Sequence, residues 1–256
     1  MEAKPRFEPF DFVDVESPAD RAQYSSLAIR YKDKLFNLTG LQDLSEETID
    51  IYWGLRNLSA LKEVASCHPD RNVEMIFYGD MLEHLERRVI RMVQREALLS
   101  PTPDHVIYRF FGYAALLHIY MFMRDLPRGL GFFHLLSARI QRLLGGLDIQ
   151  RIYMQYPEMM LWVLIMGGLG GIGTPSRGWF ANLVAEVCSV SGLRGGNEVA
   201  FTLAEFLWSE LYRSPVTMGF WNDVAVAQGI NEGYEVRRLT DHVAAATFNA
   251  PPDIVE

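Results

Sequence analysis

Pro157-Glu158-Met159-Met160-Leu161-Trp162-Val163-Leu164-Ile165-Met166 runs into Gly167-Gly168-Leu169-Gly170-Gly171-Ile172-Gly173 and then Thr174-Pro175. This stretch admits two opposite readings, and the choice between them sets the fold class. Gly168, Gly170 and Gly173 satisfy G-x-G-x-x-G after an apolar run. In a dinucleotide-binding unit that pattern carries a strand into a helix and sets backbone N–H groups against a pyrophosphate. Such a site needs the helix to open directly on the glycines. Here Thr174-Pro175 puts the next helix start after them. Pro157-Glu158 is itself a helix start, with proline at the first helical position and an acid in the first turn. Glu186, the acid about twenty residues on, falls mid-helix rather than at a strand end. No Gly-Lys-Ser/Thr follows, so Gly171 and its neighbours are no P-loop either. The stretch reads as an apolar helix to about Met166, then a glycine-rich joint to a second helix, with no cofactor expected.

The same punctuation holds in both directions. C-terminally, Thr174-Pro175-Ser176 caps a helix carrying Trp179, Phe180, Leu183, Val184 and Val187, closed by Gly192. Asn197 is expected to cap another, and Ser214-Pro215 a last one ending at Gly229. N-terminally, Asp148 starts a segment that Pro157 restarts. Phe132, Leu136, Ile140 and Leu143 form a short helix closed by Gly145-Gly146. Thr102-Pro103-Asp104 opens a helix to Leu126 that is apolar most of the way round, which suits the centre of a bundle. Met75, Tyr78, Leu82, Leu85, Val89 and Met92 make a clean one-sided stripe. Ser45-Glu46-Glu47 starts a helix stopped by His68-Pro69, and Ser17-Pro18 starts one to about Leu38. No run alternates with period two. The expectation is an all-α protein of about nine packed helices in a single domain over residues 18–230. Residues 1–17 form an irregular lead-in and 231–256 a polar tail.

Composition narrows the function classes. The 256 residues are 49% hydrophobic and 22% charged, which is ordinary globular usage. A formal net charge of −8 gives a whole-chain field that opposes DNA and anionic membrane. Cys67 and Cys188 stand far apart, so neither a disulfide framework nor a zinc site is expected. The first residues lack a basic segment followed by an apolar run, so no secretory signal is read. Phe110 to Met123 and Met159 to Ser176 are uncharged, but the first is short for a span and the second ends in glycines. Both are expected to be buried core helices.

Few residues suggest chemistry. Glu83, Arg87, Arg91 and Arg95 are spaced by four, with Arg88 adjacent. They read as a solvated face, with contact to an acidic partner or nucleic acid as the alternative. Glu83 and Glu86 share a face, as solvated carboxylates. The six histidines are scattered, and His118, in the most apolar helix, reads as a satisfied core residue. Trp53, Trp162, Trp179, Trp208 and Trp221 with Met75, Met81, Met92, Met159 and Met160 read as core. A pocket between them for a small hydrophobic effector is the alternative. Catalytic, cofactor-binding and metal residues are all expected to be none.

Residues 156–180 carry a resemblance. Tyr156-Pro157-Glu158, Leu161-Trp162-Val163-Leu164, Gly167-Gly168 and Pro175-Ser176-Arg177-Gly178-Trp179-Phe180 follow one another as in the fungal-specific transcription factor domain. Ile51-Tyr52-Trp53 with Leu58, and Phe206-Leu207-Trp208, fit the same layout, so the likeness spans roughly residues 25–225. It implies an all-α regulatory domain in a nuclear transcription factor, concerned with regulation, dimerisation or effector response. In that family DNA is read by a separate cluster of six closely spaced cysteines holding two zinc ions. This sequence has no such cluster. The resemblance therefore implies a non-catalytic domain with protein partners or self-association and no DNA contact of its own. The chain is then a piece of a longer protein or a relative without the reader. The remaining alternatives are a stand-alone helical scaffold or oligomerisation module, and a helical enzyme acting on a hydrophobic small molecule. Cytoplasmic residence is the expectation should the nuclear one fail.

Overall fold

The computed structural model describes residues 46–67, 75–98, 103–127, 130–209, 212 and 214–230. Among them are nine α-helices and no strand, so the protein is all-α. They are α1 Glu46–Cys67, α2 Met75–Leu98, α3 Pro103–His118, α4 Gly131–Leu144, α5 Ile149–Gln155, α6 Pro157–Gly170, α7 Pro175–Val190, α8 Gly196–Phe206 and α9 Pro215–Ala227. A five-residue π-helical turn, Ile119–Met123, continues α3. The lead-in over residues 1–17, the helix from Ser17-Pro18 and the 231–256 tail lie outside the described residues.

The centre is α6. Every residue from Met159 to Gly170 is buried, as an all-round apolar helix requires. It packs against α3, α4, α5, α7, α8 and α9. Glycine makes that crowding possible. A Cβ on Gly167 would enter the Phe180 ring of α7, one on Gly168 the Phe220 ring of α9, and one on Gly170 would meet Leu117 of α3 at 2.7 Å. Gly168 and Gly170 of the G-x-G-x-x-G run are thus close approaches between helices. Gly173, at φ +83°, makes the left-handed turn into α7 that glycine adopts without strain.

Several helix boundaries differ from the sequence reading, and the helix expected to reach Leu126 ends as α-helix at His118 and as a π turn at Met123. The apolar helix was expected to stop near Met166, but it runs four residues further, to Gly170. Tertiary contacts outweigh the low helix propensity of glycine there. Asn197 was expected as the cap of the eighth helix. The cap is Gly195, and Glu198 reaches back to the Arg194 N–H.

Arg177 fixes the far side of the joint. Its Nε donates to Asp223 Oδ2 and its Nη2 to the Gly219 carbonyl at 2.6 Å, which ties the start of α7 to α9. Arg177 and Phe180, two of the residues that carry the resemblance, are thus engaged in helix packing. Val106–Met123 is long and apolar enough to cross a membrane, yet 78% of it is buried inside the fold.

Candidate functional site

Along α1, Thr48, Tyr52, Arg56, Ser59 and Glu63 recur every three or four residues and are all at most 6% exposed. A polar stripe on a buried face must find partners within the protein. Arg56 Nη1 donates to Tyr52 Oη at 2.5 Å, and the Tyr52 hydroxyl donates to the Phe206 carbonyl at 2.5 Å. Burial pushes the Tyr52 phenol up to about 12 despite the guanidinium beside it. This pair links α1 to the end of α8.

One turn on, Ser59 meets His118, which is 0% exposed. Ser59 Oγ donates to the Leu55 carbonyl at 2.8 Å. Its oxygen must then accept from His118 Nε2–H, at 2.8 Å. That tautomer leaves Nδ1 as an acceptor for the Tyr212 hydroxyl, at 2.8 Å. Tyr212 Oη in turn accepts from Trp162 Nε1–H at 3.1 Å. Every proton in the chain points one way, from Trp162 to the Leu55 carbonyl.

Serine, histidine and a third orienting group at hydrogen-bond distance have the outline of a nucleophilic triad. The chemistry does not follow from this arrangement. Nε2 already carries a proton, so His118 cannot take one from Ser59. Burial lowers the imidazole to about 3, and Ser59, His118 and Tyr212 are each buried away from any substrate. The constellation is a satisfied polar core, as the sequence suggested for His118. Sequence reasoning missed its partners. The available signal was the polar stripe on the apolar face of α1.

The other expected groups are dispersed. Arg87 pairs with Glu83 at 2.5 Å and Arg88 with Asp50 at 2.8 Å, while Arg91 Nε reaches the Arg87 carbonyl at 3.5 Å. The Arg95 side chain lies outside the described residues. His84 is held below the usual histidine range, by partial burial first and then by Arg88, Arg91 and Arg87. Glu83 and Glu86 do not act together, since Glu86 accepts from the Tyr120 hydroxyl at 2.7 Å and from Arg124 Nη2 at 2.6 Å. Among the described residues no three His, Cys, Asp or Glu side chains converge to hold a metal ion.

Trp162, Trp208, Trp221, Met81, Met92, Met159 and Met160 are buried and form core, Trp53 and Trp179 pack half-buried against it, and the Met75 side chain lies outside the described residues. A groove of about 420 Å³ opens elsewhere, between α5 with its lead-in and α7. Leu147, Ile149, Tyr153, Leu183 and Val187 supply apolar lining, with Met154 and Val190 at the rim. Met154 is 78% and Val190 65% exposed. The Tyr153 hydroxyl meets Ser191 Oγ at 2.5 Å, which joins the two walls. Asp148 caps α5 by accepting from the Arg151 N–H at 3.0 Å. Glu186 lies along the α7 wall as an exposed carboxylate.

No family model, curated protein or solved structure matches this chain. The fold defines its class as an all-α protein.

Proposed function

We propose that this chain is a non-catalytic regulatory and interaction domain, of the kind its resemblance to the fungal-specific transcription factor domain implies, working in the nucleus through protein partners. The α5–α7 groove carries the reading. Large apolar side chains stand in water there, as at surfaces that are covered by a partner. The serine–histidine constellation, by contrast, is sealed and spends its protons internally. An acidic chain of net charge −8 acts on a gene by docking to other proteins rather than by neutralising phosphates.

Tethering tests this directly. Fused to an unrelated DNA-binding domain, the chain should change transcription of a reporter relative to that domain alone. The purified chain by itself should leave duplex DNA unshifted at physiological salt. Unchanged reporter output, or a tight sequence-selective gel shift, overturns the reading.

A further inference from the structure

We propose that the groove between α5 and α7 docks a helical segment of a partner protein whose apolar anchors are flanked by Lys or Arg. The inference deepens the regulatory reading and rests on it for the partner being a protein. Exposure supplies the first argument. Met154 and Val190 are two of the three most exposed large hydrophobic side chains among the described residues, and both stand on this one rim. Leu183 and Tyr153 beside them are half-buried, so the lining passes from dry to wet across the groove. A pocket for a small molecule encloses most of its ligand. A rim standing this far into solvent instead suits a helix laid along it, with roughly two or three anchors inserted.

Charge supplies the second argument. The ionisable lining residues are Asp148, Glu186 and Tyr153, and no Lys, Arg or His is among them. Asp148 gives one carboxylate oxygen to the Arg151 N–H, while Glu186 faces solvent. The complement of an apolar floor with carboxylates along it is a cationic amphipathic segment. A second copy docked by the same face across a two-fold axis would bring two acidic rims together, the carboxylates of Asp148 and Glu186 with those of the copy, a like-charge arrangement that disfavours self-pairing.

The test uses the full chain and a fluorescein-labelled helical peptide of about 18 residues, with Leu at i, i+4 and i+7 and flanking Lys. A twin carries Glu for each Lys. Fluorescence anisotropy should show the Lys peptide binding at least about tenfold more tightly than its twin. Met154→Ser with Val190→Ser leaves the net charge unchanged and should weaken the Lys peptide roughly tenfold. Val226→Ser removes a side chain that is 76% exposed on α9 and should change nothing. Glu186→Lys should narrow or reverse the preference between the twins. No binding of the Lys peptide overturns the proposal. Full binding by the Met154/Val190 variant also overturns it, because net charge alone would then be the attraction. Peptide binding without a reporter effect would sink the regulatory reading alone, and a reporter effect without peptide binding would sink this inference alone.

Discussion

His118 takes two ring nitrogens into a region closed to solvent, and each must meet a partner of the correct sense. Ser59 and Tyr212 meet that demand only for the neutral ring. Protonation would turn Nδ1 into a donor facing the Tyr212 hydroxyl, whose own proton would then lose its acceptor. Burial therefore holds the folded-state imidazole near 3, against about 6.5 in the unfolded chain. Between these values the unfolded state binds the extra proton, so the stabilising contribution is whole above about pH 6.5 and is lost as pH falls toward 3. From about pH 7.5 to about pH 5 this residue should remove about 2 kcal/mol of stability. Urea unfolding at the two pH values measures it. His118→Gln keeps a donor toward Ser59 but does not titrate, so its loss over the same interval should be smaller by that amount. Equal losses in the two proteins would contradict the assigned network. The sequence showed that His118 lies in an apolar helix. It could not show the partners, because Ser59 and Tyr212 stand 59 and 94 positions away, and only the closed fold brings them to the ring.

At the scale of helices, the run from Gly167 to Gly171 illustrates how one motif serves either of two ends. Its helical reading was available from Pro157 before it and Thr174-Pro175 after it. Its extent was not, because glycine ends helices on propensity alone, and only the rings of Phe180 and Phe220 explain why these glycines continue one. The two effects can be separated. Gly79 is exposed within α2 and a Cβ there meets nothing within 4 Å. Gly79→Ala should therefore stabilise by about 0.5–1 kcal/mol through helix propensity. Gly168→Ala gains the same propensity but drives its methyl into the Phe220 ring, and overpacking of that kind destabilises by about 1–3 kcal/mol. Thermal unfolding should move the two midpoints in opposite directions. Two upward shifts would mean that α6 and α9 are less closely apposed than described. The Asn197 cap was misread for a related reason. Gly195-Gly196 offers no side chain to recognise, and the Arg194 N–H is met by Glu198 from inside the helix.

On the scale of the molecule, periodicity made the class legible and placed the two most apolar helices at the centre. The groove was not legible, because Met154 and Val190 look like any other apolar residue until the neighbouring helices are known. Connectivity decides how this assembly should unfold. The first described helices stack in sequence, α1 on α2 and α2 on α3, while α7 and α8 pack on α6 and α9 packs chiefly on α7. A chain built in this way could break in two between α3 and α6. Two features oppose that. The buried hydrophobic residues from Ile51 to Ala225 form one cluster. The polar layer also joins its ends, through Tyr52 to the Phe206 carbonyl across 154 positions and through Ser59 and His118 to Tyr212. Removing either half would break these hydrogen bonds and expose the apolar face that the other half shares in the common cluster, a loss far larger than that of a surface contact. Although chains above about 150 residues often unfold in stages, this one should unfold as a unit. Far-UV circular dichroism and tryptophan fluorescence should give one urea midpoint, with Trp53 on α1 and Trp221 on α9 among the reporters. Under pulsed hydrogen exchange, peptides from α2 and α7 should convert together. Loss of protection in α1 and α2 at lower urea than in α6 to α9 would show that the polar layer does not couple the two ends.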